Sequence, residues 1–242
     1  MSLFIEPKFK TSLFFCIICL ITFPAAAAQE YDSPNGFYIG VTAGYGLIIG
    51  GDFDGDTVLT GNGQMFVVPG LSGSPGFGIV LGNKKGKTGY EISYFYNPHK
   101  ADVLGVKKNG VQHIININYV RHFSMKGKFQ PFIAGGMNLA WLPVKDAFYK
   151  EDWYLAPGDS YLSSRLVLEG NALYYSIGLN GEAGISYAFN PKFSLNACIF
   201  LRLMMIHSAR AKDSEGTKWS YSLEDKLFMI NPGLNVGLRY YF

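Results

Sequence analysis

Apolar and polar residues alternate along much of this chain. In residues 172–189 the odd positions, from Leu173 to Phe189, are apolar, aromatic or glycine, whereas the even positions include Asn180, Glu182 and several Gly and Ser residues. A period of two predicts a β-strand with one apolar face. The alternation recurs in residues 37–49, 77–81, 88–96, 111–123, 193–207 and 226–242, and residues 129–142 are apolar at both parities. The pattern predicts eight strands and leaves the facing of 129–142 open.

The second face of these strands favours a membrane barrel over a soluble sandwich or a lipocalin-like barrel. Strands near ten residues are long enough to cross a bilayer when tilted. A soluble surface would carry many Lys and Glu residues, yet this face is mostly Gly, Asn and Ser. Its charges are Glu91, Glu182, Arg202 and Arg239, and in the crowded interior of an eight-stranded barrel such charges must pair. We therefore expect an all-β, eight-stranded antiparallel transmembrane β-barrel containing an interior charge network of these four residues.

One pair within that network follows from strand geometry. Glu182 and Arg202 lie on strands that meet at the turn around residues 190–192, about eight and ten residues from it. Neighbouring strands bring residues of similar depth into contact. The sequence predicts that Glu182 and Arg202 pair inside the barrel, which is expected to be plugged by its own side chains.

The connections between strands alternate between short and long. Short ones cover residues 82–87, 124–128 and 190–192, and long ones cover residues 50–75, 97–110, 143–171 and 208–225. The short connections are rich in Lys and contain no acid, whereas the long ones hold most of the Asp and Glu residues. Outer-membrane barrels have short periplasmic turns and long extracellular loops. This asymmetry predicts three periplasmic turns and four extracellular loops.

The N-terminal segment has the features of a secretory signal peptide. Lys8 and Lys10 precede an apolar run over residues 12–23, and Pro24 and four alanines follow. This arrangement predicts Sec-type export with cleavage near Ala28, so residues 1–28 form the signal peptide and 29–242 the barrel domain. Cys198 is then the remaining cysteine, which excludes a module held together by internal disulfides.

Composition narrows the function classes further. The 242 residues are 48% hydrophobic, 16% aromatic and 16% charged, with a formal net charge of +3. Such a chain is too apolar for intrinsic disorder. Apart from the N-terminus it has no apolar stretch long enough for a membrane-spanning helix, and a small net charge gives no reason to expect nucleic-acid binding.

The C-terminal strand carries a recognisable pattern. Asn235, Gly237, Tyr240 and Phe242 fill the polar, glycine, aromatic and aromatic positions that end bacterial outer-membrane proteins. With the signal peptide and the eight strands, the chain resembles the outer-membrane β-barrel superfamily of Gram-negative bacteria. Residues 36–46 and 130–136 look like the eight-stranded OmpA-like, OmpW-like and surface-antigen group. The resemblance implies that the barrel-assembly machinery reads the last strand, and that outer-membrane lipids and lipopolysaccharide surround the barrel.

The resemblance suggests three functions. The leading one is a structural or surface-antigen protein whose extracellular loops contact the environment, with adhesion as one form of that contact. The second is an OmpW-like narrow conduit for small hydrophobic solutes, and the third is a lipid A-modifying enzyme. Such enzymes use a pair resembling His-any-Ser, whereas His207 and Ser208 are adjacent and would point to opposite faces of a regular strand. We therefore predict no enzyme activity.

An acidic motif in the first long connection raises the question of calcium. Asp52, Asp54 and Asp56 alternate as oxygen ligands of calcium do. The glycine and glutamate that complete an EF-hand are absent, because Thr57 and Gly63 occupy those positions. A solvated acidic loop is expected, calcium binding stays open, and no catalytic residue, metal site or cofactor is predicted.

Overall fold

The computed structural model describes residues 34–51, 58–61, 64–123, 128–155, 162–213 and 215–242. Within these residues the chain forms twelve strands and no helix. The strands are Gly36–Gly46 (β1), Ile49–Gly51 (β2), Val58–Gly61 (β3), Gln64–Val67 (β4), Gly70–Leu71 (β5), Ser74–Lys85 (β6), Thr88–Val103 (β7), Val106–His122 (β8), Phe129–Leu155 (β9), Leu162–Asn190 (β10), Phe193–Lys212 (β11) and Lys218–Tyr241 (β12).

Eight long strands close into an antiparallel barrel. β1 pairs with β6, each strand from β6 to β11 pairs with the next, and β12 returns to β1 with Ile39 opposite Tyr240 and Ala43 opposite Val236. The short strands β2–β5 belong to the first connection. This closed ring confirms the predicted eight-stranded antiparallel barrel, and closure removes the unpaired strand edges that a bilayer would not tolerate.

The outer face of the ring is apolar. Large hydrophobic side chains of the predicted parity are exposed on every long strand, with Phe37 and Val41 on β1 and Leu234 and Val236 on β12 as examples. So large an apolar surface is stable against hydrocarbon rather than water. In the described residues no helix is long and apolar enough to cross a membrane.

The facing of β9 is settled by the structure. Phe129, Ile133, Met137 and Leu139 are exposed on the outer face, whereas Asn138 is fully buried inside. The sequence could not separate the two faces because Phe132, Ala140 and Leu142, on the inner parity, are also apolar.

Aromatic side chains mark both boundaries of the apolar band. At one boundary Phe129 packs on Tyr187, with ring centroids 4.8 Å apart, and at the other Trp141 is paired with Tyr175. Twelve residues separate Phe129 from Trp141, or about 40 Å of strand. At a tilt of about 40° this spans about 30 Å, which matches an apolar band of about 25 Å with its aromatic girdles.

The two ends of the barrel differ in length. Residues 86–87 and 191–192 make tight turns at one end, which we call the turn end. At the opposite, hairpin end, the strands continue beyond the apolar band. β7 and β8 stay paired up to Val103 and Val106, with Leu104 and Gly105 at positive φ in the turn. The predicted short turns and long extracellular connections therefore correspond to the turn end and the hairpin end.

Most residues of the predicted long connections 97–110, 143–171 and 208–225 belong to strands, so these connections are extended hairpins. In these extensions the lipid-facing alternation ends, because Lys100 and Asp102 occupy outward positions of β7 while Ala101 and Val103 are buried in the cluster that contains Phe66. The outward apolar signal of a strand is therefore lost from the sequence there. The backbone N–H and C=O groups still need partners, and continued pairing provides them.

Cysteine labelling tests this orientation. In a Cys198→Ser background, a cysteine at Gly105 should react with a membrane-impermeant maleimide on intact cells. A cysteine at Pro191, in the turn between β10 and β11, should react only after the outer membrane is permeabilised. The opposite pattern would place the hairpin end in the periplasm and contradict the assignment. The predicted connections 143–171 and 124–128 offer two further labelling positions, Asp159 on the outside and Lys126 on the periplasmic side. Both lie outside the described residues.

Candidate functional site: the barrel lumen and outer rim

An ion pair crosses the lumen near the turn end. Arg239 Nη2 lies 2.5 Å from Glu91 Oε2, and both side chains are buried. Tyr38 Oη donates a hydrogen bond of 2.8 Å to the same carboxylate oxygen, and its ring lies 4.9 Å from the Arg239 guanidinium. The pair joins β7 to β12 across the barrel, so two of the four predicted interior charges contact one another directly.

The other two charges do not meet. Glu182 accepts hydrogen bonds from Asn118 Nδ2 at 3.2 Å and Asn180 Nδ2 at 2.9 Å, and Cys198 Sγ lies 3.7 Å away. In the register of β10 and β11, Asn180 rather than Glu182 lies opposite Arg202. The expected contact between Glu182 and Arg202 is therefore absent, because a two-residue offset sends the two side chains to different neighbours.

Arg202 is enclosed by aromatic rings. Its guanidinium carbon lies 4.0 Å from the Phe200 ring centroid and 4.6 Å from that of Phe95, and Nη1 donates to Asn231 Oδ1 at 3.2 Å. Within the described residues, Nε and Nη2 have no hydrogen-bond partner. Cation–π contacts contribute about 2 kcal/mol each when desolvated, while burying an unpaired ion costs several kcal/mol. The rings offset only part of that cost.

The hairpin-end half of the lumen is apolar, although the sequence predicted a polar interior throughout. The first connection folds into the barrel mouth, with Phe66, Val67 and Val68 buried there. Phe66 packs on Phe148 with centroids 5.0 Å apart, and Tyr174 Oη donates to the Val67 carbonyl at 2.5 Å. Facing wall residues are correspondingly apolar and include Ile114, Leu142, Val144, Met204, Ile206 and Met229.

We call the segment Phe66–Val68 the plug. Below it, the cavity beside Glu91 and Arg239 measures about 30 Å³, about the share of liquid volume of one water molecule. A second small cavity lies beside Arg202. The sequence predicted a barrel plugged by its own lumenal side chains. The structure adds a segment of the first connection to them, which the sequence did not reveal.

A row of polar and aromatic side chains encircles part of the outer face at the hairpin end. Tyr96, His113, Trp141, Tyr175 and Ser208 are paired in register on five consecutive strands, and we call this row the outer rim. His113 stacks on Trp141 with centroids 5.0 Å apart and planes 9° apart. The sequence analysis did not identify this row. A polar residue, His113, at a position that the alternation assigns to the outer face would have indicated it.

Several solved structures have a fold similar to that of this chain. No protein-family model and no curated protein match this chain. Among solved structures, OprG from Pseudomonas aeruginosa is 15% identical with a TM-score of 0.51, over 88% of this chain and 99% of that one. Neisserial surface protein A (14%, TM-score 0.49, 90% and 100%) and Escherichia coli outer membrane protein W (19%, 0.34, 87% and 100%) also match.

The chain has the fold of the bacterial outer-membrane β-barrels. At sequence identities this low, the similarity shows the fold alone. It confirms the predicted resemblance as a resemblance of fold.

The C-terminal strand, β12, lies at the closure of the ring. Asn235 and Arg239 point into the lumen, whereas Tyr240 faces outward and Phe242 is 77% exposed. Gly237 pairs with Thr42, and the Phe242 N–H donates to the Phe37 carbonyl at 2.9 Å. Recognition of Asn235, Gly237, Tyr240 and Phe242 by an assembly machine stays a prediction.

The surroundings of His207 differ from the regular strand assumed from the sequence. β11 has a register shift between Ile206 and Ser208 against both of its neighbours. His207 is exposed and Ser208 half-buried, while Ile206 and Ala209 are buried. A β-bulge turns adjacent residues toward one face, so the exclusion of this pair, which assumed a regular strand, does not apply here. No hydrogen bond joins His207 to Ser208 in the described structure.

Several predicted features lie outside the described residues. These are the signal peptide over residues 1–28 and the acidic motif of Asp52, Asp54 and Asp56. Their expectations stay predictions. In the part of the chain that is described, no group of three or more His, Cys, Asp or Glu side chains could hold a metal ion.

Proposed function

We propose that this chain is a structural surface protein of the bacterial outer membrane, with a closed lumen and hairpins that present a surface to the environment. The plug is the observation that carries this proposal, because Phe66, Val67 and Val68 are buried in the barrel mouth, where they would obstruct the passage of solutes. Export would follow signal-peptide cleavage near Ala28, and assembly would depend on the barrel-assembly machinery.

The hairpins are suited to surface contact because an ion pair and a side-chain hydrogen bond hold them in place. Lys108 Nζ lies 2.7 Å from Asp146 Oδ2, joining the β7–β8 hairpin to β9, and this hydrogen bond raises the pKa of Lys108. Trp219 Nε1 donates to Asp213 Oδ2 at 2.9 Å, and that bond lowers the pKa of Asp213. A fixed polar surface of this kind supports a role as surface antigen, and adhesion is one specific form that this role could take.

The outer rim supports contact with lipopolysaccharide. Lys100, Lys145, Arg210 and Lys212 are exposed at or above the rim, and the Arg210 guanidinium lies 5.2 Å from the Tyr175 ring. Aromatic side chains favour the membrane interface, and cations above them favour phosphate groups. We therefore place the phosphorylated sugars of the outer leaflet at this height.

Bilayer conductance tests the proposal. Purified, refolded protein should insert into planar bilayers without giving stable current steps, because the plug and the filled turn-end lumen block ion flow. A general porin treated in the same detergent serves as the positive control. Reproducible unitary currents from this chain would contradict the closed barrel.

The second candidate function is a conduit for small hydrophobic solutes, which the apolar half of the lumen favours. Uptake of such a solute into proteoliposomes, without ionic current, would distinguish it from the structural role. We propose no enzyme activity, although the outward His207 and Ser208 make lipid A deacylation worth assaying. Absence of activity in that assay is the expected result.

Deleting Phe242 tests the proposed assembly signal. The deletion should lower the amount of folded, heat-modifiable barrel in the membrane, because it removes the terminal aromatic residue of the motif and its bond to the Phe37 carbonyl. Phe129→Ala is the matched control, since it removes an exposed aromatic side chain at the same boundary and leaves the last strand intact. Equal folded amounts in the deletion and the control would refute the role of Phe242.

A further inference from the structure

Arg202 is a buried cation without a direct ion-pair partner. Its side chain is 1% exposed, and Nε and Nη2 have no hydrogen-bond partner among the residues that the structure describes. In the described structure Glu91 pairs with Arg239, and no carboxylate lies within ion-pair distance of Arg202. A guanidinium keeps its charge at any physiological pH, so deprotonation does not relieve this burial.

The guanidinium lines a small cavity below the plug. The other polar side chains on the cavity wall are Ser74, Asn97, His99, Asn231 and Asn235, and the remaining wall residues are glycine or aromatic. No acidic side chain contributes to this wall. The cavity thus presents hydrogen-bond donors beside a buried positive charge, and it has room for one species of about the size of a water molecule.

Glycines on the wall create the space for two of these amides. A Cβ atom at Gly76 would collide with Asn97 Oδ1, and a Cβ at Gly44 would collide with Asn235 Oδ1. Neither the Asn97 nor the Asn235 side chain is hydrogen bonded to another described residue. The wall is therefore shaped around polar groups whose hydrogen-bonding capacity the protein leaves unused.

We propose that this cavity binds one small monovalent anion of the halide class, with chloride as the abundant example, against the Arg202 guanidinium. A water molecule would accept hydrogen bonds from the free N–H groups but would place no negative charge against the guanidinium, whereas an anion does both. A chloride ion is larger than a water molecule but smaller than phosphate, sulfate and carboxylate ligands, which exceed the available space. The site is distinct from the Glu91–Arg239 pair and does not depend on the proposed surface role.

Unfolding in urea at constant ionic strength tests the proposal, with chloride replaced by the large anion gluconate. Above the dissociation constant, each tenfold rise in chloride should raise the apparent folding equilibrium constant about tenfold, as expected for one site on the folded state. Arg202→Met should abolish this dependence. Arg210→Met, which removes an exposed arginine of the outer rim, should preserve it.

A crystallographic measurement on the unaltered protein keeps the test decisive even if Arg202→Met does not fold. Crystals soaked in bromide should show an anomalous peak within hydrogen-bonding distance of Arg202. Stability that is independent of chloride, or an ordered water with no bromide at this position, would overturn the proposal.

Discussion

Replacing Arg239 with methionine should lower the free energy of unfolding by about 3–5 kcal/mol, because Glu91 would remain as a buried charge without its partner. The measurement is urea unfolding of the refolded barrel in lipid vesicles, followed by tryptophan fluorescence. The effect should be large because the pair joins β7 to β12 and both side chains are almost fully buried.

A double-mutant cycle separates the pair from its surroundings. Glu91→Gln combined with Arg239→Met should cost clearly less than the sum of the two single changes, since neither charge is then left alone. Arg121→Met, at an exposed arginine near the turn end, should change stability by less than about 0.5 kcal/mol. Strictly additive single effects would show that Glu91 and Arg239 do not interact in the membrane.

Replacing Phe66 with alanine should release the plug from the barrel mouth. Removing a buried phenylalanine side chain costs about 3–5 kcal/mol, and here the loss falls on the contact of Phe66 with Phe148. Because the plug belongs to a connection rather than to the ring, the effect should be local. Amide hydrogen exchange of residues 64–68 should accelerate by two orders of magnitude or more, while the barrel strands stay protected.

Val106→Ala is the control for the plug variant. Val106 is an exposed valine in the β7–β8 hairpin, so its truncation should leave exchange at residues 64–68 unchanged. Equal exchange rates in the Phe66→Ala variant and the unaltered protein would show that Phe66 does not anchor the plug.

The outward face and the number of strands could be predicted from the sequence because each depends on local alternation. Phe37, Val41, Leu234 and Val236 repeat every second residue, and this repeat fixes which side of the strand meets lipid wherever the barrel closes. β9 is the exception. Apolar side chains such as Leu142 point inward there and pack in the same cluster as the plug, and in the sequence they cannot be distinguished from lipid-facing residues.

The partners inside the lumen could not be predicted in the same way. Glu91 and Arg239 lie 148 residues apart, and their contact depends on the closure of β12 onto β1 and on the direction of two long side chains. Glu182 and Arg202 lie close in sequence on adjacent strands, yet a two-residue offset in register separates them. Side-chain contacts inside a barrel depend on strand register and on side-chain direction, and neither can be derived from amino-acid composition.

The sequence by itself determined the strand periodicity, the meander order and the apolar exterior, because these follow from backbone geometry and the chemistry of lipid. Only the tertiary structure decided that the hairpins extend past the bilayer, that β11 bulges at His207, and that the plug enters the mouth. Each of these depends on backbone pairing or packing between distant segments, where hydrogen-bond partners and free space, rather than hydrophobicity, select the conformation.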